Sequence, residues 1–176
     1  SALLNGDDSN FEQEVSDYAG IAAKLGVPYV RVLCDLNAHP TNELDIPLVA
    51  SNLKKAGEIA DSKGVCVLTE TNGMFASSDN MLKLLELSGT KGIAVLWDIH
   101  HPYRFYGEAP ETTFGKLKDY IKHVHIKDSA VENDNIKYKL AGEGDVPIKE
   151  CLKLLNDSGY NNYVSLEWVK RWYTDL

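Results

Sequence analysis

Apolar positions along the chain alternate between a helical period and short runs that suit strands. From about Asn10, which reads as an N-cap with Gln13 three residues on, Phe11, Val15, Tyr18, Ala22 and Leu25 share one helical stripe that Gly26 closes. Residues 27–33 then read as a strand, with Pro28 at its mouth, where a missing N–H is tolerated. Pro47 suits the first turn of a second helix, whose stripe of Val49, Leu53, Ala56 and Ala60 runs to Gly64, and residues 65–70 form the next strand. Ser77 or Ser78 caps a third helix carrying Met81, Leu82, Leu84 and Leu85, closed by Gly89. Thr112 or Thr113 caps a fourth, with Phe114, Leu117 and Ile121 inward, followed by a strand at 123–128. A helix from about Pro147 to Asn156, with Ile148, Cys151, Leu152 and Leu155 inward, precedes a last strand at 163–168. The polar stretch 130–144, which holds Gly142-Glu143-Gly144, reads as an irregular surface excursion.

One strand stands out. Ile93 to Trp97 is an unbroken apolar run behind Gly92, as expected of a strand buried on both faces of a parallel sheet, and it delivers Asp98, His100 and His101 to its C-terminal end before Pro102. In parallel α/β folds that end is where ligands sit. Five strands, each with a helix beside it, make repeated βα units.

Composition narrows the function class. Eighteen basic against twenty-six acidic residues give a net charge of −8, and the longest basic cluster is the Lys170-Arg171 pair, so no nucleic-acid footprint is present. Three cysteines (Cys34, Cys66, Cys151) without CxxC spacing suit reduced thiols, a cytoplasmic setting is expected, and no apolar run is long enough for a membrane span.

The strand ends carry a recurring chemistry. Glu70, Asp98, His125 and Glu167 lie 28, 27 and 42 residues apart, where one βα unit of a closed barrel takes roughly 30 residues, so the same structural position recurs from unit to unit. Three hard oxygen donors and one imidazole in the same structural position suit a divalent ion. In a flat sheet the outer two of four adjacent strands would stand roughly 14 Å apart, too far to share an ion; curling the sheet into a barrel removes the difficulty.

These residues, Glu70 in TETN, Asp98 and His101 in WDIHHP, His125 in HVHIKD, Gly142-Glu143-Gly144 and Glu167 in SLEW, resemble the sugar phosphate isomerase/epimerase superfamily of xylose-isomerase-like TIM barrels. The resemblance implies a parallel (β/α) barrel of TIM type as a single domain over residues 1–176. It implies Glu70, Asp98, His125 and Glu167 as metal ligands, Glu70 and Glu167 as acid/base groups, and His101 as a substrate contact. Such barrels have eight strands and about 250 residues. The match therefore places this chain over about the last five βα units, with residues 1–4 as the tail of the third strand. Open edges are then expected to be covered by a further segment, another chain or a homo-oligomer.

A bound Mn²⁺, Mg²⁺ or Co²⁺, or Zn²⁺, would acidify a proton between adjacent oxygens of a sugar or polyol through an enediolate, with one glutamate removing a proton and the other returning one. Arg104 and Lys127 are candidates for binding a hydroxyl, carboxylate or phosphate of that substrate. His123 is expected deeper in the strand, behind His125. The expectation is a metal-dependent isomerase or epimerase. A dehydratase of a keto-polyol or cyclitol, or a noncatalytic sugar-binding remnant, are the alternatives.

Overall fold

The computed structural model describes residues 4–6, 10–40 and 43–169. In chain order these form α1 (Asn10–Leu25), β1 (Tyr29–Val32), α2 (Ile46–Asp61), β2 (Cys66–Glu70), a 3-10 turn (Gly73–Ala76), α3 (Ser78–Ser88), β3 (Ile93–Asp98), α4 (His100–Tyr106), α5 (Pro110–Leu117), β4 (Ile121–Ile126), β5 (Asp128–Glu132), β6 (Asn135–Lys139), α6 (Ile148–Asp157) and β7 (Val164–Leu166). Strands β1, β2, β3, β4 and β7 lie side by side in that order, all parallel, as part of a TIM-type α/β barrel.

A helix precedes every one of these strands, and α1, α2, α3, α5 and α6 pack in sequence along the outside of the sheet. Val32, Val67, Ile93, Val95, Trp97, Ile121 and Val124 point outward into the main core with the helical stripes. Leu68, Ala94 and Leu96 form a second, smaller cluster on the inner face. Strand β3 is thus buried on both sides, which is why its sequence lacks a polar alternation. Because side chains alternate along a strand, Asp98 shares the inner face with Ala94 and Leu96.

Two local devices set how these layers meet. A Cβ on Gly92 would lie 2.3 Å from the Gly57 carbonyl oxygen, so only glycine lets α2 approach the start of β3 this closely. Between β3 and β4 the register moves from Val95 opposite Ile121 to Leu96 opposite His123, leaving exposed Lys122 as an extra residue. That bulge turns Ile121 and Val124 outward while His123 and His125 face inward.

Several sequence expectations shift. Ile121 opens β4 and does not belong to the preceding helix, which begins at Pro110 with Ala109 as N-cap; Thr113 lies inside it and donates to Glu108 Oε2 at 2.6 Å. Ser77 is the cap of α3, its hydroxyl accepting from Asn80 N. The α1 stripe is Phe11, Val15, Ala19 and Ala22, with Tyr18 and Leu25 exposed, and Leu152 on α6 is also largely exposed. Much of the stretch 130–144 is an ordered antiparallel hairpin of β5 and β6, joined by Asn133 and Asp134 at φ 50° and 61°, the pattern of a type I′ turn. Of the segment read as the tail of an earlier strand, residues 1–3 lie outside the described residues, while buried Leu4 donates to Leu33 O at 2.9 Å. Among the described residues no helix is long and apolar enough to cross a membrane.

Candidate functional site

The C-terminal strand ends converge. Glu70 ends β2, Asp98 ends β3, His125 sits next to the end of β4, and Glu167 follows β7. One ligand atom from each lies within 4.8 Å of all the others. Glu70 and Glu167 stand on strands separated by two others, so this closeness requires the inward curl of a barrel wall.

Asp98 is fully buried, and its two oxygens have different tasks. Oδ1 accepts from the backbone N–H of His100 (2.9 Å) and His101 (3.2 Å), where the chain turns straight into α4. Oδ2 makes no hydrogen bond of good geometry, although Lys127 Nζ stands 2.6 Å away. Burial works to raise the Asp98 pKa, but His101 and Lys127 overcome it and hold the carboxyl well below its usual range. Thr71 locks this turn from the neighbouring strand end: its hydroxyl accepts from Asp98 N (2.8 Å) and donates to Asp98 O (3.0 Å).

Glu70, only 3% exposed, is held from two sides. Arg31 donates to Oε2 at 2.7 Å and His125 Nδ1 to Oε1 at 3.0 Å. Burial opposes its ionisation, but the His125 hydrogen bond and the Arg31 charge lower its pKa overall. The same bond raises His125 against the burial that would lower it. Glu167 is more open; its Oε2 receives Lys127 Nζ at 2.5 Å, and its Oε1 lies 3.8 Å from His125 Nδ1 and 3.9 Å from Arg31.

His101 Nδ1 lies 2.8 Å from the Thr71 carbonyl, which can only accept, so Nδ1 carries the hydrogen. Burial pulls its pKa down more than Asp98 raises it, and a neutral ring leaves Nε2 as an acceptor. A cavity of about 470 Å³ opens beside the cluster and is lined by Glu70 and Glu167 of the four, with Arg31, Asn72, His101, Lys127 and Tyr138 around them. That volume suits a small molecule.

Arg104 has a different position. Its guanidinium donates to Ser129 Oγ (3.0 Å) and Ser129 O (2.9 Å) and pairs with Asp145, so it ties α4 to the hairpin and does not line the cavity. His100, left unassigned by sequence, is buried, bonds to Ser129 Oγ at 2.9 Å and stacks on Tyr138 of β6; burial pushes its pKa down to about 3. Behind His125, His123 bonds to Ser165 Oγ at 2.9 Å.

The Gly142-Glu143-Gly144 motif is explained by Asp128. This buried carboxylate accepts four backbone N–H groups, from Ser129 (2.8 Å), Gly142 (2.8 Å), Gly144 (3.0 Å) and Val146 (3.2 Å). Gly142 adopts φ 93°, and a Cβ on Gly144 would fall 2.1 Å from Asp128 Oδ1. Asp128 therefore fastens the return of the hairpin, which carries Tyr138 to the cavity.

Sequence reasoning passed over Arg31 and Tyr138. Arg31 had a signal: a lone charge in the apolar stretch YVRVL. Tyr138 had a weaker one in the alternation of Ile136, Tyr138 and Leu140 after an Asn-Asp turn.

Residues 5–175 match the family described as xylose isomerase-like TIM barrel. The chain belongs to that family. Among curated relatives of this xylose isomerase-like chain, fructoselysine 3-epimerase of Escherichia coli O157:H7 is 29% identical over 126 residues, which is 69% of this chain and 45% of the relative. Inosose dehydratase of Clostridium beijerinckii is 24% identical over 144 residues, 72% of this chain and 48% of the relative. The chain thus spans about half the length of the curated relatives it matches. The solved structure of IOLI protein with a binding zinc atom superposes with a TM-score of 0.76 at 18% identity, over 99% of this chain and 67% of that one.

Proposed function

We propose that this chain carries the metal centre and both acid/base groups of a divalent-metal-dependent sugar or polyol isomerase/epimerase. The observation that supports this most directly is the convergence of one Asp, two Glu and one His from four strands within 4.8 Å on a cavity of sugar size. The donor set fits a divalent ion: three carboxylates and an imidazole, with buried Asp98 Oδ2 lacking a well-formed hydrogen bond. Glu70, Asp98, His125 and Glu167 would hold it. When bound, such an ion acidifies a C–H between two adjacent substrate oxygens. Mn²⁺, Mg²⁺, Co²⁺ and Zn²⁺ all suit these donors, and the zinc held by the IOLI protein is in keeping with that range.

The protein groups then move the proton. Glu70 and Glu167 reach the cavity from strands on either side of β3 and β4, so a planar enediolate between them presents one face to each. One glutamate takes the proton and the other returns one to the opposite face, giving an epimer; return to the neighbouring carbon gives an aldose–ketose interconversion. His101, held neutral with its Nδ1–H fixed on Thr71, accepts a substrate hydroxyl at Nε2. Lys127 and Arg31 supply positive charge beside the carbon that becomes electron-rich.

A second reading has a specific support. The inosose dehydratase relative suggests that the same enediolate can expel a β-hydroxyl as water. Product mass separates the two readings, since only elimination loses water.

The experiment for proton transfer is turnover of ketose substrates in D₂O by wild type, Glu70→Gln and Glu167→Gln, with metal content measured in each. Wild type is expected to place deuterium at the carbon between the oxygens. Each glutamine variant is expected to lose roughly 10²–10⁴-fold in kcat, with one still exchanging the proton of a single epimer. Near-wild-type turnover by both metal-loaded variants, or no deuterium in product, would overturn the two-base reading.

A further inference from the structure

Lys127 sits inside the cluster of proposed ligands. It lies two residues beyond His125 on the same strand line, is only 5% exposed, and places Nζ 2.6 Å from Asp98 Oδ2 and 2.5 Å from Glu167 Oε2. On Asp98 the contact falls on the one oxygen that the His100 and His101 amides do not use. Asp98 therefore has a single oxygen to offer a metal, and the ammonium is against it. On the opposite side Arg31 pairs with Glu70. Three carboxylates thus meet two fixed cations.

Building on the metal centre proposed above, we infer that Lys127 is an internal counter-cation that holds Asp98 and Glu167 together and competes with the divalent ion for them. An ion bonded at about 2 Å to Asp98 Oδ2 comes within a few ångströms of Nζ. At that distance, with little water between, a divalent ion and an ammonium repel strongly. The lysine consequently lowers metal affinity. It also keeps buried carboxylates from facing one another uncompensated, so its removal costs stability. A lysine that only binds substrate would do neither: its loss would raise KM and leave metal affinity where it was.

The test uses the purified chain, stripped with EDTA and titrated with Mn²⁺ by calorimetry, as wild type, Lys127→Met, Lys127→Gln and Lys127→Arg. Both neutral variants are expected to bind Mn²⁺ at least about tenfold more tightly than wild type, and the arginine variant to stay near it. Melting in EDTA and in Mn²⁺ gives a second readout: the rise in Tm on adding metal should be larger for Lys127→Met than for wild type. A methionine variant that folds only once Mn²⁺ is present supports the inference in the same way. If it fails to fold in both conditions, the glutamine affinity decides. Unchanged or weaker Mn²⁺ binding by the folded neutral variants overturns the counter-cation role. Wild type that binds no divalent ion sinks the metal centre itself, which is a different result.

Discussion

Replacing Asp128 by asparagine removes one charge and one acceptor oxygen from a residue that touches no proposed ligand. Its two oxygens each receive two backbone N–H groups: Ser129 and Val146 on Oδ1, Gly142 and Gly144 on Oδ2. An asparagine in the same place must turn its NH₂ toward one pair, so two donors then face a donor and the other two lose a charged partner. Hydrogen bonds to a charged group contribute about 1.5–3 kcal/mol each, so two lost bonds correspond to roughly 3–6 kcal/mol. Alanine would leave all four donors without this partner and is expected to cost at least as much. Urea unfolding followed by tryptophan fluorescence measures the global loss. Hydrogen exchange over residues 129–146 measures the local one, because a hairpin that opens by itself would cap the global effect at its own docking free energy. A change below about 1 kcal/mol together with undiminished amide protection in that segment would refute the account of Asp128 as its fastener.

Three further outcomes are expected. His125→Ala and Asp98→Ala should each lower metal content sharply while far-UV circular dichroism stays close to wild type; a full equivalent of tightly bound metal in both would remove them from the site. Gly92→Ala forces a Cβ into the Gly57 carbonyl and should cost about 1–3 kcal/mol in urea melts, whereas an unchanged midpoint would show that α2 can give way. Burial pushes the Cys34 thiol up to about 12, from an ordinary value near 9, so at pH 8 its alkylation in the native protein should be about a thousandfold slower than in urea. The sign for stability follows: unfolded thiols ionise first, so the Cys34 contribution is intact below about pH 9 and falls away as pH rises toward 12. Rapid labelling of Cys34 at pH 8 without unfolding would contradict its burial.

The barrel strands and the four converging residues were legible because both follow from short-range pattern. An apolar run such as 93–97 has few uses other than a doubly buried strand, and repeated βα units put Glu70, Asp98, His125 and Glu167 at equivalent ends. What escaped reading depends on partners distant in sequence. Arg104 looks like a cavity-lining cation until the hairpin arrives with Ser129 and Asp145 to occupy it. The hairpin itself was hidden because its strands are largely polar, and an Asn-Asp turn is a weaker sign than Asn-Gly. Ile121 was assigned to the helix before it because the period-2 alternation of β4 starts cleanly only at His123.

That break in alternation makes β4 a strand read in two frames. Upstream of Lys122, odd-numbered Ile121 belongs to the helix-facing core; downstream, odd-numbered His123, His125 and Lys127 belong to the interior. Deleting Lys122 alone would restore one continuous frame. With Ile121 against the helices, His123 would follow it inward, Val124 outward and His125 inward, each on the face it already holds; a second deleted residue would exchange the faces of every side chain after it and carry the imidazole of His125 to the helix side with its identity intact. The centre is thus exposed to a kind of lesion that substitution scanning never samples, and comparing deletion of Lys122 alone with deletion of Lys122 and His123 together would reveal it. The same logic run forward gives protein engineers a handle, since moving the extra residue along β4 selects which side chains the barrel interior receives without altering one of them.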